Sequence, residues 1–89
     1  MNPKNRMPSH PGEILLEEFL TPKKMTQIEL AKQLQVPVQR VNTLVRGKRG
    51  ISPETAILLS RVFKNTPQFW MNLQVNYDLY LAEKHLAAA

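Results

Sequence analysis

The sequence predicts an all-α domain of five short helices, with the second and third spaced as a helix-turn-helix. Three observations carry that prediction. No stretch alternates apolar and polar residues with period two, and no Asn-Gly or Asp-Gly pair marks a hairpin. Helix start and stop signals recur at short intervals. The apolar residues between them return at helical spacing. With 89 residues and no cysteine, the chain forms one small domain. It excludes a disulfide scaffold, thiolate catalysis and Cys-ligated metal.

Residues 1–9 hold Pro3 and Pro8 without periodicity and read as a loose arm ahead of a single domain, 10–84. His10 and Pro11 start the first helix, which covers Gly12 to about Leu20 and ends at Pro22. Glu17 and Glu18 give it an acidic face, a natural surface for a basic partner. Thr26-Gln27-Ile28-Glu29 is a capping box, because the Thr hydroxyl and the Glu carboxylate can each accept from the other's amide. Met25 and Leu30 can add a hydrophobic staple. The second helix then runs from Gln27 to Leu34, with Ile28, Ala31 and Leu34 inward.

Gln35-Val36-Pro37 interrupts the pattern. The third helix follows, from Pro37 or Val38 to Arg46, and Gly47 stands where a left-handed terminator belongs. Lys48-Arg49-Gly50 is a basic turn. Ser52-Pro53-Glu54 opens the fourth helix, with Ser as cap, which reaches Phe63 and turns Ala56, Leu59, Val62 and Phe63 inward. Thr66-Pro67 repeats the device for a fifth helix ending near Lys84. Residues 85–89, closing on Ala87-Ala88-Ala89, read as a frayed tail.

Charge is concentrated. The formal net charge is +5, yet residues 1–22 carry two Lys or Arg against three Glu, and residues 65–89 carry one Lys against two acids. Residues 23–64 carry nine Lys or Arg against Glu29 and Glu54, a balance of +7. That segment is either a solvated surface or a face for phosphates.

The third helix favours the second reading. At about 100° per residue, Val41, Leu44 and Val45 share one side, and Gln39, Asn42, Thr43 and Arg46 share the other. That outer side holds amides, a hydroxyl and a guanidinium but no carboxylate. These groups read base edges: Gln or Asn bidentate to adenine, Arg to guanine, Thr to a thymine methyl. Gln27, opening the second helix, can hold a phosphate at a helix N-terminus. Lys48 and Arg49 would meet phosphates beside the groove. Small Ala31 lets the two helices cross closely.

Other chemistries find no support in the residues. His10 and His85 lie in different elements and form no ligand cluster, so neither a metal nor a cofactor is expected. Glu17 and Glu18 point apart on a helix and make a poor acid–base pair. The three glycines fit no phosphate loop. An enzyme with a small-molecule substrate is not expected. No apolar run is long enough to span a membrane, and the charged N-terminus lacks a signal-peptide core, so the expected address is the cytoplasm.

Thr26-Gln27-Ile28-Glu29-Leu30-Ala31 through Gly47 resembles the phage-repressor-like (lambda repressor-like, XRE/Cro-type) helix-turn-helix class. Three further blocks resemble the HigA antitoxins: His10-Pro11-Gly12-Glu13-Ile14-Leu15, Gly47-Lys48-Arg49-Gly50-Ile51, and Pro67-Gln68-Phe69-Trp70-Met71-Asn72-Leu73-Gln74 with Tyr77-Asp78-Leu79. The resemblance covers residues 10–80. It implies a homodimer that binds double-stranded operator DNA at an inverted repeat. It also implies that the protein neutralises a HigB-type, messenger-RNA-cleaving toxin and represses their shared operon. Carried over by position, Val38, Gln39 and Thr43 take the main base-facing slots and Arg40 and Arg46 flank them; Val38 either closes the core near the turn or packs on a thymine methyl. Two positions depart from the class: Gln35 replaces a usual glycine, and Pro37 replaces a usual Ser or Thr cap.

The fifth helix carries Phe69, Trp70, Leu73, Val75, Tyr77, Tyr80 and Leu81, a wider apolar arc than one face of a small domain needs. Phe69, Trp70, Leu73, Tyr77 and Tyr80 are therefore the expected dimer interface. Two other readings remain at this point: a repressor without a toxin, and a protein-interaction module whose basic face meets an acidic protein.

Overall fold

A computed structural model describes residues 7–88 of the chain. The arm expected over 1–9 lies outside the described residues for 1–6; Met7 to Ser9 belong to no helix or strand, and His10 is the extended N-cap of the first helix. Five helices follow. Helix α1 covers residues 11–23, α2 is Gln27–Leu34, α3 is Val38–Val45, α4 is Pro53–Phe63 and α5 is Pro67–Ala88. Among the described residues there is no strand.

The start signals work as chemistry. The His10 imidazole accepts the Gly12 N–H at Nδ1, 2.9 Å away, and so caps α1. Thr26 Oγ1 accepts from the Glu29 amide at 3.0 Å, and the Glu29 carboxylate accepts from the Thr26 amide at 2.8 Å. The N–H and hydroxyl of Thr26 hold the Glu29 carboxyl below its usual pKa. Ser52 and Thr66 cap α4 and α5 through the Thr55 and Phe69 amides.

Two boundaries differ from the sequence reading. Pro22 does not end α1. Leu15–Leu20 is π-helical, with the Thr21 N–H reaching Leu16 O. This wider turn displaces the carbonyl that a proline ring would strike in an α-helix. The helix ends two residues later at left-handed Lys24. At the other end, residues 85–88, read as a tail, continue α5. Ala, Leu and His offer no breaker there.

The core gathers Leu15, Leu20, Leu30, Ala31, Leu34, Val41, Leu44, Ile51, Ala56, Leu59 and Trp70. Val62 and Phe63 pack against it, as does Met25 beside the α2 cap. Ile28 is a correction: it is 60% exposed. At about 100° per residue, Leu30, Ala31 and Leu34 define an inward arc whose centre falls near the line of Gln27, which puts Ile28 beyond its edge. Trp70 corrects the expected dimer interface. It is wholly buried in its own domain, tilted against Phe19 with ring centroids 4.8 Å apart, and its Nε1–H donates to Asn65 Oδ1 at 2.8 Å. It has no surface to offer a second chain.

Candidate nucleic-acid interface

Helices α2 and α3 meet through a turn that the backbone terminates cleanly. Gln35 is left-handed (φ 60°, ψ 46°), and the Val36 N–H returns to Ala31 O at 3.0 Å. The cost of a side chain in that region is on the order of 1 kcal/mol. Pro37 stands at the N-cap of α3 in extended backbone, without a side-chain hydrogen bond. Its φ of −61° leads directly into Val38.

On α3, Val41 and Leu44 are buried, Val45 is half-buried, and Gln39 and Arg46 are exposed. Asn42 and Thr43 are half-buried on the same outer side. Val38 is exposed, which places it on the surface rather than in the core. Thr43 Oγ1 donates to Arg40 O at 3.1 Å, a bond that fixes the hydroxyl back onto the helix. Gln27 and Asn42, read separately from the sequence as a phosphate contact and a base reader, meet each other. Asn42 Nδ2 donates to Gln27 Oε1 at 3.2 Å, tying the start of α2 to the middle of α3.

Beside this face, Pro37, Gln39, Arg40, Thr43 and Arg49 line an open depression of about 360 Å³. Two guanidiniums, an amide and a hydroxyl point to a negatively charged occupant, and no carboxylate lines it. Arg40 Nε is buried without an acceptor from the protein. Arg46, Lys48 and Arg49 extend the positive surface and are exposed. No group of three His, Asp or Glu among the described residues is placed to hold a metal.

Three contacts seat this face. At the end of α3, Gly47 is left-handed (φ 76°), and the Lys48 N–H returns to Thr43 O at 2.9 Å. At the start of α1, a Cβ on Gly12 would lie 1.7 Å from the Leu44 carbonyl oxygen, so only glycine lets α1 approach the backbone of α3 this closely. On α5, Gln74 Oε1 accepts the Ile51 N–H at 2.6 Å while its Nε2 donates to Asp78 Oδ1 at 2.9 Å. Gln74 thereby holds the loop that carries Lys48 and Arg49. Sequence reasoning assigned no role to Gly12 or Gln74. Both lie inside the quoted blocks, but a long-range backbone approach leaves no periodicity to read.

The histidine at the start of α1 joins these parts. His10 meets the Tyr77 ring edge-on at 4.9 Å and lies beside Gly47. Burial pushes its pKa down from 6.5, against smaller opposing effects of Asp78 and Glu13.

Comparison with known proteins agrees with this geometry. Residues 16–70 match the Helix-turn-helix (HTH_3) family model. Virulence-associated protein I of Dichelobacter nodosus is 49% identical over 82 residues, covering 91% of this chain and 76% of the relative. Antitoxin HigA-1 of Vibrio cholerae is 38% identical over 80 residues, 90% of this chain and 75% of the relative. Among solved structures, the Pseudomonas aeruginosa antitoxin HigA with the higBA promoter superposes with a TM-score of 0.87 at 46% identity, covering 91% of this chain and 88% of that one.

Proposed function

Since this chain belongs to the Helix-turn-helix (HTH_3) family and, within it, to the HigA antitoxins, we propose that it is a sequence-specific operator-binding antitoxin. The observation that carries this is the outer face of α3. It is polar, free of carboxylates and open, while the opposite face is buried. In this reading α3 enters the major groove, with Val38, Gln39 and Thr43 at base edges. Arg46 and the Arg40–Arg49 depression take flanking phosphates, as do Lys48 and the N-terminus of α2 at Gln27. Asn42 acts through its bond to Gln27, fixing one helix against the other.

A homodimer would set two recognition helices about 34 Å apart on an inverted repeat. The antitoxin role adds neutralisation of a HigB-type toxin, for which exposed Glu13, Glu17 and Glu18 offer an acidic surface. None of the described helices is long and apolar enough to cross a membrane, and the site of action in this reading is the bacterial cytoplasm, on DNA.

Mobility shifts with operator and scrambled duplexes test the DNA reading. If a dimer neutralises about six phosphates, log K falls with log salt at a slope near −5. Thr43→Ala changes base preference at a cost of about 1 kcal/mol. Lys48→Ala weakens binding to all sequences alike. A flat salt response, or identical behaviour of the two variants, contradicts the assignment. Co-expression with a HigB-type toxin tests the rest: an antitoxin restores growth, and a failure to restore it contradicts the neutralising role.

A further inference from the structure

We propose that α3 recognises thymine through methyl groups, that of Thr43 and those of Val38, and that the Thr43 hydroxyl takes no part in reading bases. This rests on the operator-binding reading above and names the base that two of its side chains face. The Thr43 hydroxyl carries one hydrogen, and that hydrogen is spent on Arg40 O, 3.1 Å away and three residues back in the same helix. The oxygen is thereby drawn against the backbone, and the methyl on the other branch of the side chain is left to face outward. Guanine shows only acceptors in the major groove, N7 and O6. A hydroxyl whose hydrogen is already committed offers it nothing.

Val38 makes the same offer one turn earlier. It is 41% exposed in the first turn of α3, beside an outer surface that is otherwise polar. At about 100° per residue, Val38 and Thr43 lie on either side of Gln39, and the three span about 140° of the helix surface. The apolar group that a base pair presents in the major groove is the C5-methyl of thymine. Taking one such carbon out of water is worth about fourfold in affinity. The Gln39 amide between the two apolar groups suits adenine, the partner of thymine, so all three side chains favour the same base pair. Asn42 does not compete for it, because its amide is engaged with Gln27. Contacts of this kind neutralise no phosphate, so they raise affinity without steepening its dependence on salt.

Selection from a random pool of duplexes supplies the operator. Single thymines in one half-site are then replaced by deoxyuridine, which keeps every pairing group and loses one methyl. Two thymines are expected at which the exchange lowers wild-type affinity about fourfold, at an unchanged salt slope. Val38→Ala removes the effect at one of them. At the other, Thr43→Ser removes it while Thr43→Val retains it, because the preferred helical rotamer of valine sets a methyl in either position that the threonine methyl takes. Helix content, read by circular dichroism, stays that of wild type in all three variants. A flat uridine scan on an operator that the protein still selects overturns methyl reading and leaves the DNA reading standing. Thr43→Ser with the wild-type scan at both thymines gives the reading to the oxygen and likewise overturns the proposal. A chain that selects no sequence from the pool overturns both.

Discussion

Helices α3 and α5 contrast in how they use their two sides. In α3 the apolar residues occupy one side and the other is polar, so a single domain satisfies it and leaves a face open. In α5 the apolar residues occupy both sides. The domain takes Trp70 and shelters Leu73, and it leaves Val75, Leu79 and Leu86 in water. A one-sided pattern tells which residues face outward. A two-sided one tells only that something further is needed.

The contrast depends on α3 being seated by backbone contact, and its strongest test is at Gly12. A methyl group there meets the Leu44 carbonyl oxygen, which belongs to a rigid helix and has nowhere to go. Gly12→Ala is expected to cost about 3 kcal/mol or more and to weaken operator binding along with stability. Thermal unfolding measures it. A melting temperature within a few degrees of wild type would mean that α1 can withdraw and that α3 does not rely on it.

The same contrast explains what the sequence revealed. The capping box at Thr26, the Ser52 cap, Gly47 and the outer face of α3 are local patterns, and each stands where it was read. The errors have specific causes. Ile28 is apolar in type but stands outside the inward arc that Leu34 centres, so its side chain is exposed. Pro22 carries the signal of a terminator, but the π-helical turn that lets the helix pass it has no simple sequence mark. Trp70 is legible as apolar but not as core, because α5 offers more apolar side chains than one face requires and its sequence does not say which the domain claims. Gln74 was invisible for another reason, since its partner is the backbone of Ile51, twenty-three positions away.

Gln74 also links the two contrasted helices, because it ties α5 to the loop that follows α3. Gln74→Leu keeps the volume and removes the acceptor for the Ile51 N–H. An unmet amide costs about 1–3 kcal/mol, and we expect about 2 kcal/mol here. Hydrogen exchange at Ile51 should accelerate, and affinity for all DNA sequences should fall together, since Lys48 and Arg49 lose their fixed loop while Thr43 keeps its place. Unchanged exchange at Ile51 would show that the loop holds itself.

The smallest effect is expected at His10, which touches both regions through Gly47 and Tyr77. Its Nδ1 accepts the Gly12 N–H only when that nitrogen is unprotonated. Burial lowers the folded-state pKa below 6.5, so the folded protein prefers the neutral ring. Its contribution is therefore complete above pH 6.5 and is lost as pH falls through the lower folded value. Asp78 and Glu13 oppose the shift without reversing it. His10→Ala removes the cap at a cost of about 1 kcal/mol near neutral pH. His10→Asn keeps an acceptor that does not titrate in this range. Melting curves at pH 7.5 and 5.5 should therefore show a larger loss on acidification for wild type than for His10→Asn. Equal losses would place the acid sensitivity elsewhere and reduce His10 to a packing contact between the end of α3 and the buried side of α5.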